Sequence, residues 1–177
     1  VRRTPLDGNE LRLSDIPLAD RLTELEFAFP LARISPGVLH SLFQDLCLAP
    51  GAVPAATAMQ GLSFSPHQGM MKGFIDLVFR HRERYCLLPW KSNVLEGSTA
   101  DYPRAALARV MVADHYLLQY HLYTLALHAY LGARLPGYDY SRHFGGVFYV
   151  FLRGVDPEST GRVLHIDLRA ITADSAC

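Results

Sequence analysis

The spacing of hydrophobic and polar positions changes several times along the chain. In "LTELEFAF" (22–29), Leu22, Glu24 and Glu26 alternate with Thr23, Leu25 and Phe27, the period of two that marks a strand. Pro30 is expected to end it. "SPGVLHSLFQDL" (35–46) has helical spacing, with Ser35 at the N-cap position and Pro36 at the first helical position. An Ala-, Pro- and Gly-rich loop follows from about 49 to 58. Two strands, 71–80 and 84–91, are then joined by a tight charged turn. "STADYPRAALARVMVADHYLLQYHLYTLALHAYL" (98–131) keeps helical spacing over many turns, with Pro103 near its start and Gly132 marking its end. "GGVFYVFLRG" (145–154) is rich in β-branched and aromatic residues and reads as a buried strand, and "GRVLHIDL" (161–168) offers another. The first 20 residues read as an irregular lead-in. Strands, then long helices, then strands predict a mixed α/β layer architecture, with no internal repeat.

Composition narrows this picture. A chain of 177 residues suits a single domain over 1–177, and half its residues are hydrophobic, which excludes disorder as the main state. Lys plus Arg equals Asp plus Glu, so any basic surface must be local. Cys47, Cys86 and Cys177 form no CxxC pair. That usage fits free thiols in a reducing, cytoplasmic setting and leaves too few sulfurs for a four-cysteine metal site. The apolar run "YLLQYHLYTLALHAYLGA" is interrupted by Gln119, His121 and His128, which favours a buried helix over a membrane span. The chain begins at Val1, has no Met before Met59 and shows no signal-peptide pattern, so it is expected to be a piece of a longer polypeptide.

The hairpin "GFIDLVFRHRERYCLLPWKSN" (73–93) carries the candidate chemistry. If its turn centres on Arg82–Glu83, residues whose numbers add to 165 face each other, placing Asp76 opposite position 89 and Phe74 opposite Lys91. Opposed residues have Cβ atoms roughly 4.5–5.5 Å apart, close enough for two carboxylates to share a divalent cation, with a lysine two residues on to steady hydroxide or phosphate. Position 89, however, is proline, which has no side-chain oxygen and no N–H for a ladder. On spacing alone two readings stand: Asp76 as a metal ligand with Lys91 beside it, or Asp76 as a capping or salt-bridging acid and Lys91 as a solvated strand end.

These motifs, "KGFIDLVFRH…YCLLPWKSN" with "LEFAFP" upstream and "LQYHLYTLALHAYL" and "YDYSRHFGGVFYVFLRGVD" downstream, occur in an order that resembles the C-terminal nuclease domain of the RecB subunit of exodeoxyribonuclease V. That family lies within the PD-(D/E)xK nuclease superfamily. The resemblance covers about residues 20–157 and implies a restriction-endonuclease-like core, a central mixed sheet flanked by helices. It implies a Mg²⁺-dependent exodeoxyribonuclease (with Mn²⁺ or Ca²⁺ as substitutes) in double-strand-break repair and recombination. The implied partners are DNA, the other subunits of a RecBCD-like complex and the RecA recombinase, with no membrane. Carried over by position, it makes Asp76 and Glu26 metal ligands (Glu24 the fallback), Lys91 the lysine of the D-x-K motif, and Gln119 and Tyr123 the Q-x-x-x-Y helix motif. The alternative for Gln119 and Tyr123 is the polar edge of a packed helix.

Two departures from the family pattern stand out. Pro89 replaces the D-x-K aspartate, and the family's upstream histidine segment is absent, His40 lying on the wrong side of the "LEF" strand. Glu96 and Asp101 follow Lys91 closely enough to be considered as substitute acids. The implied activity is therefore impaired, or the fold is kept as an inactive module for partner, RecA or DNA binding. For DNA contact, Arg104 and Arg109 are the nearer candidates. Arg80, His81, Arg82 and Arg84 at the turn, with Lys72, read equally as a phosphate-binding cluster or a solvated turn. Tyr138, Tyr140, Phe144, Phe148 and Tyr149 read as core rather than as a base-stacking platform.

Overall fold

The turn at Arg82–Glu83 sets the register of the sheet. Both residues have positive φ, 47° and 64°, the type I′ arrangement whose twist matches flanking antiparallel strands. It joins β2 (His67–His81) to β3 (Arg84–Leu87), and the pairs Val78↔Leu87 and His81↔Arg84 show the expected register. The computed structural model describes residues 4–6, 11–38, 67–95, 104–155 and 163–166.

β4 (Trp90–Lys91) continues the line of β3 after Leu88–Pro89. Leu87, Trp90 and Lys91 pair in parallel with Val147, Val150 and Phe151 of β5 (Phe144–Phe151), a constant offset, so β3 and β4 are one strand interrupted by proline. With β1 (Arg21–Ile34) antiparallel to β2, and β6 (Val163–Ile166) antiparallel to β5, the rows run β1, β2, β3/β4, β5, β6. This is a mixed sheet of five rows with flanking helices, the expected α/β class.

Two helices cover one face: α1 (Arg104–Ala113) and α2 (Tyr116–Arg134). Leu107 and Met111 of α1 and Leu117, Tyr120, Leu127 and Leu131 of α2 pack on Leu25, Ile75, Val78, Leu87 and Tyr149. The other face buries Leu77, Phe79, Cys86, Leu88 and Phe148 against Leu6, Leu13 and Ile16. The lead-in is thus part of the packing. The Arg21 guanidinium fastens it by donating to the carbonyls of Leu13 and Ile16, at 2.5 and 2.9 Å.

Several expected boundaries move. β1 does not stop at Pro30 but passes through it, pairing Pro30 with Met70; in the described sheet β1 has a neighbour on one side only, and an edge strand tolerates a residue without N–H. The long helical segment breaks at Asp114–His115, His115 adopting φ 55°. Gly132 does not end α2, which runs two residues further; Pro136 and Gly137 (φ 70°) make the exit. A short α3 (Tyr140–His143), N-capped by the Asp139 carboxylate, leads into β5. Residues 36–38 begin a helix, and Ser35 Oγ accepts from the Val38 N–H at 3.3 Å, the expected N-cap. The rest of that helix, the 49–58 loop, His40, Cys47 and Cys177 lie outside the described residues. Phe144, Phe148 and Tyr149 are buried and Tyr138 and Tyr140 pack partly on the helix-side core. No described helix is long and apolar enough to cross a membrane.

Candidate functional site

Beyond the hairpin turn the β2–β3 ladder continues to Leu88, whose N–H donates to Leu77 O at 2.8 Å. One position further, Asp76 stands opposite Pro89. Here the alternation of β2 shifts: Ile75 and Val78 enter the helix-side core, whereas Leu77 and Phe79 enter the other. β1 is irregular at the same level, with Glu24 opposite Asp76 at φ 51°. Such an irregularity re-aims a side chain. The Asp76 carboxylate turns along the sheet and accepts the Trp90 N–H at 2.9 Å. Pro89 is buried, and its carbonyl accepts the Val150 N–H of β5 at 3.2 Å.

Lys91 follows on β4 and is 7% exposed. Its Nζ donates to Gln119 Oε1 at 2.5 Å, and Gln119 Nε2 donates to Tyr123 Oη at 3.1 Å. The ammonium lies 3.8 Å from the Tyr116 ring centroid and 5.5 Å from that of Tyr149, both favourable cation–π placements. Tyr149 Oη donates to Tyr116 O at 2.9 Å, Tyr116 Oη to Asn93 Oδ1 at 3.0 Å, and Asn93 Nδ2 to Asp114 Oδ2 at 2.5 Å. Burial pushes the Lys91 pKa down to about 8, against the opposing pull of Asp76 and Asp114. Tyr123 is pushed up by burial and by Asp76, and Tyr149 strongly by burial.

Four residues singled out from sequence, Asp76, Lys91, Gln119 and Tyr123, therefore meet in one place. Glu26 does not join them through any hydrogen bond or ion pair among the described residues. It is exposed and pairs with Phe74, on the strand face opposite Leu25, Phe27 and Phe29, which pack toward α2. Arg109 is exposed on α1. The Arg104 side chain, Glu96 and Asp101 lie outside the described residues. Sequence reading missed the cage of Tyr116, Tyr149, Asn93 and Asp114. Tyr116 was within reach, since positions 116, 119 and 123 follow helical spacing; Asn93, Asp114 and Tyr149 come together only through tertiary packing.

The donor set does not fit a bound Mg²⁺, which wants near-octahedral oxygen coordination at about 2.0–2.1 Å. Asp76 brings one carboxylate with one oxygen engaged by Trp90, and the facing Pro89 side chain brings none. Among the described residues no three His, Cys, Asp or Glu side chains converge as metal ligands. What remains is a buried lysine held by an amide, itself bonded to the Tyr123 phenol, and by two aromatic rings.

No family model matches the chain. It is 43% identical over 159 residues to the RecBCD enzyme subunit RecB of Escherichia coli (strain K12), covering 89% of this chain and 13% of that protein. The corresponding subunit of Haemophilus influenzae is 42% identical over 165 residues, covering 93% and 13%. That of Mycolicibacterium smegmatis is 38% identical over 163 residues, covering 82% and 15%. The chain thus spans only a small segment of the relatives it matches.

Proposed function

The chain is homologous to a segment of RecB, and from that premise we propose that this segment is a RecB-type nuclease domain whose hydrolytic centre is disabled at position 89. By descent it is the Mg²⁺-dependent exodeoxyribonuclease part of a helicase–nuclease acting in double-strand-break repair and recombination. Its partners are DNA, the companion subunits of a RecBCD-like assembly and RecA. Asp76 and Glu26 descend from metal ligands, Lys91 from the lysine that supports the nucleophile, and Gln119 and Tyr123 from the helix motif that braces it; Arg104 and Arg109 are candidate DNA contacts.

The observation that carries this reading is the seating of Pro89 opposite Asp76, with Lys91, Gln119 and Tyr123 still joined beside it. A shared divalent cation needs a second oxygen donor across from Asp76. Here that side chain is a buried hydrocarbon ring, and Asp76 serves the backbone of Trp90 instead. Loss of that donor leaves the fold and the lysine cage standing while removing the means to activate water. The domain is then a nuclease-fold module for DNA and partner contacts.

The test is digestion of linear DNA with Mg²⁺ or Mn²⁺, comparing the unmodified chain with Lys91→Ala. The expected result is no cleavage above background in either. Robust cleavage by the unmodified chain that Lys91→Ala abolishes would contradict the proposal.

A further inference from the structure

The lead-in covers only part of its side of the sheet. It packs over the end of β2 that holds Leu77 and Phe79, and the same face of β2 continues toward His67 with Phe74 57% and Met70 60% exposed. Across on β1, Phe74 faces Glu26 and Met70 faces Pro30, both exposed. At the margin of the covered part a recess of about 300 Å³ opens among Leu18, Thr23, Asp76 and Trp90, and Leu18 is 80% exposed. We propose that this bare stretch is a docking surface for an amphipathic helix of a partner protein, its apolar stripe on Phe74 and Met70 and its flank carrying lysine or arginine.

A sheet in a layered α/β fold buries each face under other elements. Here α1 and α2 complete one face, and the described lead-in completes the other only as far as Leu77. Apolar side chains exposed singly need no explanation, whereas neighbouring ones on one face mark an interaction site. Met70 to Asp76 spans about 20 Å of strand, the length of a helix of about 13 residues. Charge selects the partner's polar flank. Glu24 and Glu26 are exposed and Asp76 is half-buried beside the apolar strip. These three acids outnumber Lys72, on the same face, and Arg21, whose guanidinium turns to the carbonyls of Leu13 and Ile16. Such a surface repels a nucleic-acid backbone and attracts a basic protein segment. The docking surface rests on exposure and charge and not on the state of position 89, so DNA cleavage by the unmodified chain would leave it standing.

The probe is a fluorescein-labelled synthetic peptide of about 14 residues with leucines on one helical face and lysines on the other. Its anisotropy on the unmodified chain is compared with that of a counterpart carrying glutamates for lysines. The leucine–lysine peptide should bind about tenfold or more tightly than the leucine–glutamate one. Met70→Ser/Phe74→Ser, which changes exposed side chains, should weaken its binding about tenfold. Glu26→Lys should weaken it about fivefold, a loss that shrinks at about 0.5 M salt. Leu125→Ser, at a leucine 50% exposed on α2, should bind as the unmodified chain, and circular dichroism checks that each variant is folded. Indifference to Met70→Ser/Phe74→Ser, an equal loss in Leu125→Ser, or equal affinity for the two peptides would overturn the site. Sedimentation equilibrium of the chain alone should show a monomer. A dimer that Met70→Ser/Phe74→Ser dissociates would make the occupant a second copy and overturn the assignment to a partner helix.

Discussion

Lys91 is the residue on which burial and charge conflict most. Its pKa of about 8 lies below the ordinary 10.5 because burial penalises the ammonium. Between those values the folded chain binds fewer protons than the unfolded chain, so stability rises with pH across that window and the burial cost is fully present below about pH 8. The gain is on the order of 3 kcal/mol across the whole window by the usual conversion, with part of it reached by pH 9.5. Denaturant titrations at pH 7 and 9.5 should show this rise in the unmodified chain and a flatter response in Lys91→Met. Asp76 accepts the Trp90 N–H, so Asp76→Ala should cost about 1.5–3 kcal/mol by stripping that N–H of a charged acceptor. Asp76→Asn, which keeps a carbonyl oxygen, should cost less in the same urea melts. At this scale the sequence exposed the Asp76–Pro89 confrontation because strand pairing is a local rule, whereas Lys91, Gln119 and Tyr123 were singled out by the resemblance in motif order, spacing alone leaving a solvated strand end and the edge of a packed helix as alternatives. It did not reveal that the Asp76 carboxylate reaches Trp90, since that depends on paired irregularities at Glu24 and Asp76 which no turn residue announces.

At the scale of elements, the hairpin turn places non-glycine residues at positive φ. Glu83→Gly should therefore stabilise the fold by up to about 1 kcal/mol, measured by thermal melting. Its exposed pair with Arg142, 3.3 Å apart, is a small loss. Gly145 is the reverse case, because a Cβ there would collide with Cys86 Sγ and crowd Arg84 Cβ and Tyr85 O where β5 lies against β3. Gly145→Ala should destabilise by about 1–3 kcal/mol in urea. The hairpin register was legible because a two-residue turn fixes every pair after it. The helix break at Asp114–His115 was not, since neither residue is glycine or proline and apolar spacing continues on both sides. The passage of β1 through Pro30 was misread for a related reason: whether proline ends a strand depends on its place in the sheet, which appears only once the rows are assembled.

For the whole molecule, a neutral chain gathers buried polar side chains into one lysine cage where β3/β4 passes between Asp76 and α2. The α/β class followed from the order of strands and helices, but the packing role of the lead-in did not, because Leu6, Leu13 and Ile16 are too sparse to show a period. Pro89 sits in a buried row and its carbonyl still accepts from Val150, so the sheet keeps its register with a side chain opposite Asp76 that offers no oxygen. The central claim is that proline at position 89 denies Asp76 a second acid with which to share a cation. Isothermal titration with Mn²⁺, comparing the unmodified chain with Asp76→Asn, Pro89→Asp and Pro89→Asp/Asp76→Asn, tests it most directly. The account predicts no saturable binding in the unmodified chain, a site gained in Pro89→Asp, and its loss when Asp76 is also changed. Saturable Mn²⁺ binding by the unmodified chain that Asp76→Asn removes would contradict it.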